Sequence, residues 1–268
     1  MIAVFTLNAD PITQAELQAV LACMKEKHFS CGMIRIAEEG ILSKEQRIKL
    51  VQLAIRPYRK LKLSEGTPCD EIIAIDPVNE PEARAGAFNL AARGTRQYLN
   101  DHGCYYEEIV TASCKPHRAA HSRSTADLCR ELALAHHLNG ERAWRMGMLH
   151  DVTKIKEDDW GRSLLSVYDP DKLSMSPKIW HSFTAPLVLK QNLCLKDTGI
   201  LHAIYHHTLG DGNSDLDRIL YIADKCERTR GYDTEAEIKL AKQNLKEAAL
   251  LVKTEQRTYL KEKEGIHA

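Results

Sequence analysis

The hydrophobic pattern changes period part-way along the chain, and that change limits the fold to two architectures in one polypeptide. In the first part, short apolar runs alternate with helical segments. Ile2 to Leu7 reads as a buried strand, ended by Asn8-Ala9-Asp10-Pro11. Thr13 and Glu16 form a capping box that opens a helix with Leu17, Val20, Leu21 and Met24 on one face. Gly32 to Ile36, Leu61 to Leu63 and Ile72 to Ile75 are further strands, and Ser43 with Gln46 opens a second helix. Strand alternating with helix predicts a doubly wound parallel α/β domain over residues 1–112. In such a sheet a ligand sits at the carboxyl ends of strands, here the Leu7-to-Thr13 turn.

From His117 onward every apolar segment has helical spacing, which predicts an all-helical domain over residues 113–268. One helix is expected over Ser122 to Asn139, closed by Asn139-Gly140 as a C-cap. A second begins near Glu141 and ends in His150-Asp151. Others are expected over Phe183 to Gln191, Thr198 to His207 and Ser214 to Glu227. Thr234 to Lys263 reads as one long helix or two shorter ones. Glu157 to Pro177 is rich in Asp, Ser and Pro, and reads as a mobile loop over a site.

Composition removes several function classes. Net charge is zero and the pI is about 7.2, so no broad basic field exists to attract nucleic acid. No apolar run reaches bilayer-spanning length, so no membrane partner is expected. None of the eight cysteines forms a Cys-x-x-Cys pair, which argues against a zinc ribbon and for reduced thiols in a cytoplasmic protein.

Histidine is concentrated in the second part: ten of the twelve lie from His117 onward. His121, His150, Asp151, His181, His207 and Asp224 fall on separate predicted helices or at their ends. His207 shares a face with Ile200, Ala203 and Ile204, and Asp224 follows Leu-Tyr-Ile-Ala. A buried carboxylate is costly unless something positive meets it, and a metal ion is the simplest partner for both acids and imidazoles. His206 points about 100° away from its neighbour on a helix, and with His202 is read as outside the ligand set.

The spaced blocks carry a resemblance. They are Arg118-x-x-His121-Ser122, Leu149-His150-Asp151-Val152-Thr153-Lys154, His181, Ala203-Ile204-x-x-His207-Thr208-x-Gly210, and Ser214 through Arg230. This order is similar to the HD-domain metal-dependent phosphohydrolases, and within them to the YqeK-like symmetrical diadenosine-tetraphosphate hydrolases. The resemblance implies two metal ions bridged by Asp151, with His121, His150, His181, His207 and Asp224 completing the coordination. The ions would be iron, with manganese, zinc or magnesium as alternatives. It implies a shared hydroxide that attacks phosphorus and yields two ADP, with Asp151 and Lys154 catalytic. Arg118, Lys154, Thr208 and Arg230 would contact a small nucleotide. Where the family has His-Gly-x-x-Gly, this chain has His181-Ser182-Phe183-Thr184-Ala185, so a different nucleotide, a dNTP or an alarmone, is the alternative substrate.

Phe5 to Leu17 resembles the opening of the nicotinate-mononucleotide adenylyltransferases, G-G-x-F-D-P-I-H-x-G-H-L, and the likeness extends over residues 1–112. Thr13 and Glu16 replace the family's two phosphate-binding histidines, and Glu16 would repel phosphate. The first domain is therefore read as a degenerate transferase that serves as a structural or dimerising scaffold, a homodimer included, or as a nucleotide sensor.

Overall fold

The computed structural model describes residues 1–64, 66 and 68–263. Contacts divide it into two compact units. The first comprises Met1–Glu108 with Gln191–Leu195, and the second comprises Ile109–Lys190 and the chain from Lys196 on.

The first unit is built on a four-stranded, all-parallel sheet of order β3-β2-β1-β4. The strands are β1 (Ile2–Leu7), β2 (Cys31–Ile36), β3 (Leu61–Leu63) and β4 (Glu71–Ala74). β1 is central, so its side chains are covered on both faces: Ala3, Val4 and Phe5 have no exposed surface. Burying Val4 and Phe5 stabilises the sheet by roughly 1.5–3 kcal/mol each. The helix α1 (Gln14–Glu26) starts at the predicted box, where Thr13 and Glu16 cap one another, and α2 (Lys44–Ile55) starts at the Ser43–Gln46 box. Short α3 (Glu80–Arg84) and α4 (Arg96–Asp101) complete the unit, and α5 (Tyr106–Ser113) leads out of it.

The second unit is helical. Its elements are α6 (Pro116–Ala135), α7 (Gly140–Leu149), α8 (Asp158–Tyr168), α9 (Trp180–Gln191), α10 (Thr198–His206), α11 (Asp215–Cys226), α12 (Glu235–Gln243) and α13 (Leu245–Lys263). Helices α6 and α7 pack closely because Gly147 has no Cβ: one built there would strike the Ala126 backbone. That approach brings the end of α7, with His150 just after it, beside α6, which carries His121. No described helix is long and apolar enough to cross a membrane. The eight cysteines are all free thiols.

Three expectations need correction. Helix α6 starts at Pro116 rather than Ser122, with proline at the first turn where its missing N–H costs nothing, so Arg118 and His121 lie on it. It ends at Ala135, and His137 takes the left-handed conformation just beyond. Asn139 is not a C-cap. Its side chain accepts a hydrogen bond from Arg142 N at 2.9 Å and caps the start of α7.

The expected loop from Glu157 to Pro177 contains α8 and two short 3-10 turns. Helix α8 is amphipathic, but among its residues only Gly161 and Leu165 are buried. So narrow an apolar stripe is outweighed in the sequence by the surrounding polar residues. Of the two readings of the tail, the structure takes the pair of shorter helices. The break is at Asn244, whose backbone is extended and whose Oδ1 accepts from Lys246 N and Glu247 N.

Candidate metal centre

The six predicted ligand side chains meet in the helical unit, all of them buried. His121 comes from α6. His150 is the residue after α7, and Asp151 lies in the turn that follows, where Lys154 N bonds back to Asp151 O. Ending the helix at Leu149 is what lets two adjacent side chains face one point. His181 stands in the first turn of α9, one turn earlier than the sequence suggested. His207 caps the end of α10, and Asp224 is on α11.

The ligand atoms fall into two triads that share Asp151. His121, His150 and Asp151 form one, and Asp151, His181 and His207 the other, with the atoms of each within 4.8 Å of one another. His181 Nε2 lies 3.2 Å and His207 Nε2 3.7 Å from Asp151 Oδ1. On the other side, His150 Nε2 is 3.7 Å from Asp151 Oδ2. Asp224 joins the first triad: its Oδ1 is 3.0 Å from His121 Nε2 and 3.7 Å from His150 Nε2.

Three of the four rings are held from behind. His150 Nδ1 bonds the Gly147 carbonyl at 2.7 Å, and His207 Nδ1 the Ile204 carbonyl at 2.6 Å. A carbonyl only accepts, so both Nδ1 atoms carry the proton and both Nε2 lone pairs face the centre. His207 Nε2 is buried with no hydrogen-bond partner. An orphaned acceptor aimed at a carboxylate is poorly placed for a protein-only core and well placed for a cation. His121 Nδ1 is held instead by Glu227 Oε1 at 2.9 Å. A carboxylate behind a ligating imidazole is the usual outer partner of a metal site. Glu227 lies in the block that carries the resemblance, yet sequence reasoning gave it no role. The spacing from His121, more than a hundred residues, hides the contact.

The charges agree with that reading. Burial disfavours the Asp151 carboxylate, but His150, His181 and His207 outweigh burial and hold it well below the usual range. Asp224 is held down in the same way, by Lys225, His121 and His150 against burial. Burial also opposes charge on His121, yet Asp224 and Glu227 raise it to about 9. The acid field that holds this proton would hold a cation in its place. His181 is pushed down to about 4 by burial, only partly offset by Asp151, so at neutral pH its imidazole is uncharged and able to ligate.

The expected substrate groups divide. Arg118 Nη1 is 3.5 Å from Asp151 Oδ2. Lys154 Nζ is 3.1 Å from His181 Nε2 and 3.2 Å from the Lys178 carbonyl, and burial lowers its pKa. Arg230 Nη2 is 2.9 Å from Asp224 Oδ1. All three line cavities beside the centre. Thr208 does not: its hydroxyl is donated to Ser182 Oγ at 2.9 Å. The two set-aside histidines pair elsewhere, His202 with Asp217 and His206 with Asp211.

In the first unit, the turn at the end of β1 is filled by the chain itself. Arg47 is buried and donates to the carbonyls of Asn8, Glu38 and Leu42. Glu80 accepts from Asn8 Nδ2 and Asp10 N, and Tyr105 donates its hydroxyl to Asp10. Glu16 is not the fixed anion expected. Burial, with Glu80 beside it, raises its carboxyl to about 7.

The HD domain family matches this chain over residues 118–229, the stretch that carries all six predicted ligand side chains. Among particular relatives, the chain is 30% identical over 192 residues to a Mycoplasma genitalium protein named "Probable nicotinate-nucleotide adenylyltransferase/Ap4A hydrolase", covering 68% of this chain and 53% of that one. It is 25% identical over 138 residues to the Bacillus subtilis protein named "Bis(5'-nucleosyl)-tetraphosphatase, symmetrical", covering 50% of this chain and 74% of that one. The chain thus spans about half the length of the Mycoplasma relatives it matches, 53% and 45%. A Clostridium acetobutylicum crystal structure, described as a "predicted HD superfamily hydrolase involved in NAD metabolism", shares the fold with a TM-score of 0.55. Its sequence identity is 23%, over 61% of this chain and 88% of that one.

Proposed function

We propose that the helical domain, residues 113–268, hydrolyses diadenosine tetraphosphate to two ADP, and that residues 1–112 form an adenylyltransferase-like domain without transferase catalysis. The observation that carries the first part is Asp151, shared by two triads of ligand atoms. The names of the relatives and the order of the sequence blocks support the substrate. The engaged Arg47, Glu80 and Asp10 support the second part.

His121, His150, Asp151 and Asp224 would hold one ion, and Asp151, His181 and His207 the other. Mixed imidazole and carboxylate donors suit iron, manganese or zinc better than magnesium, and iron is the assignment here. Two such ions supply Lewis acidity and a water-derived nucleophile at neutral pH. The chain's own residues do the rest. Asp151 stays ionised, and the carbonyls of Gly147 and Ile204 hold His150 and His207 in the ligating tautomer. Arg118, Lys154 and Arg230 flank the centre and offset polyphosphate charge. The reaction adds water across a central P–O bond, so each half leaves as ADP. It acts on a small nucleotide in the cytoplasm.

The test is metal analysis of the purified protein with a panel of diadenosine tetraphosphate, dNTPs and alarmones. The expected result is bound transition metal and ADP as the sole product from the dinucleotide. Asp151→Ala should lose the metal and lower turnover on the order of a thousandfold. Metal-loaded protein that leaves the dinucleotide intact and cleaves another member of the panel overturns the assignment.

A further inference from the structure

Two cavities flank the centre, and each meets a different triad. The smaller, about 430 Å³, is lined by Arg118, Lys154, Lys156, Lys178 and Trp160. It meets the second triad, because Lys154 Nζ touches His181. The larger, about 670 Å³, lies among the end of α11, the segment before α12, and helices α12 and α13. It meets the first triad, because two of its lining residues, Lys225 and Arg230, pair with Asp224. Both volumes are within the range of small-molecule sites.

We infer that the larger cavity, walled by Tyr232 and Tyr259, binds one adenosine end of the dinucleotide while the smaller basic cavity takes the other. The inference rests on the hydrolase reading above and adds where each nucleoside lies. A mononucleotide would leave one cavity unused, whereas two nucleosides joined by a polyphosphate would fill both with the phosphates across the ions.

The larger cavity is polar along its length in the sense a nucleotide needs. Its cations, Lys225 and Arg230, stand at the wall shared with the centre. Of its acids, Asp233 precedes α12, Glu237 is on α12 and Glu255 is on α13. Acids repel phosphate but accept the exocyclic amino hydrogens of adenine, so phosphate faces the ions and the base faces the acids. Two aromatic rings, Tyr232 and Tyr259, line the same cavity. Tyr232 is 56% exposed and Tyr259 55%, which leaves ring surface for a base to stack on. The Tyr232 hydroxyl donates to the Lys225 carbonyl at 2.8 Å, which holds the ring beside the phosphate end. Partial burial, with Glu237 alongside, raises the Glu255 carboxyl.

The experiment is calorimetric titration of metal-loaded full chain with two uncleavable probes: methylene-bridged diadenosine tetraphosphate and methylene-bridged adenosine tetraphosphate. The wild type is expected to bind the two-ended probe at least about tenfold more tightly, the lower range of one base–aromatic stack. Tyr232→Ala and Tyr259→Ala, both at exposed positions that leave the core intact, should each remove most of that preference with metal content unchanged. Equal binding of the two probes by the wild type, or a preference untouched in both variants, overturns the inference. Turnover of the natural dinucleotide, measured separately on the wild type, decides the hydrolase reading independently.

Discussion

Glu227 Oε1 stands 2.9 Å from Nδ1 of His121, behind the ring and away from the shared aspartate. Burial works against charge on Glu227, but His121, Ser124 and Thr229 hold its carboxyl down at about 2. It is therefore a permanent anion at neutral pH. It fixes the tautomer of His121 and makes Nε2 a stronger donor. Glu227→Gln keeps the size and removes the charge. It should weaken metal binding roughly tenfold or more while the fold persists. Competition with a chelator of known affinity measures this. Unchanged retention would mean Glu227 is only a packing partner.

Glu16 predicts a pH dependence in the first unit. Its folded-state value, about 7, lies above the ordinary 4.5. A raised carboxyl contributes its stability fully below pH 4.5, and that contribution is lost as pH rises through 7. A gap of this size corresponds to at most about 3 kcal/mol. Glu16→Gln keeps an acceptor for Thr13 N, which now bonds Glu16 Oε2 at 2.7 Å. It should melt higher than the wild type at pH 8.5 and alike near pH 4. Thermal melts by circular dichroism at both values check it. A difference that grows toward acid would reverse the sign and sink the account.

Gly147 predicts a packing effect with a chemical consequence. Adding a methyl there drives it into the Ala126 backbone, which cannot yield as a side-chain tip could. Gly147→Ala should cost about 2–3 kcal/mol. It should also shift α7 against α6, and with it His150. Denaturant unfolding gives the first number and metal content after dialysis the second. Wild-type values for both would show that the two helices have slack.

Much of this was legible in the chain. The alternation of strand and helix and the two capping boxes are local, and local patterns survive folding. The six side chains that meet were legible because each is a polar residue on an otherwise apolar helical face. Other features were not. Helix α8 hides in a polar stretch because its buried stripe is so narrow. The Asn139 cap was misassigned because asparagine suits either end of a helix. Glu227, Tyr232 and Tyr259 acquire meaning only through contacts or cavity walls that tertiary packing creates. Thr208 shows the converse: it adjoins His207 in sequence, but its hydroxyl is taken by Ser182.

The gathering of ligands from α6, α7, α9, α10 and α11 has a mechanical consequence. If these side chains hold metal as proposed, no one of these helices could peel away without releasing an ion, and bound metal would act as a rivet through most of the helical unit. Resistance to heat would then depend on free ion concentration, climbing with the logarithm of the ratio of that concentration to the dissociation constant.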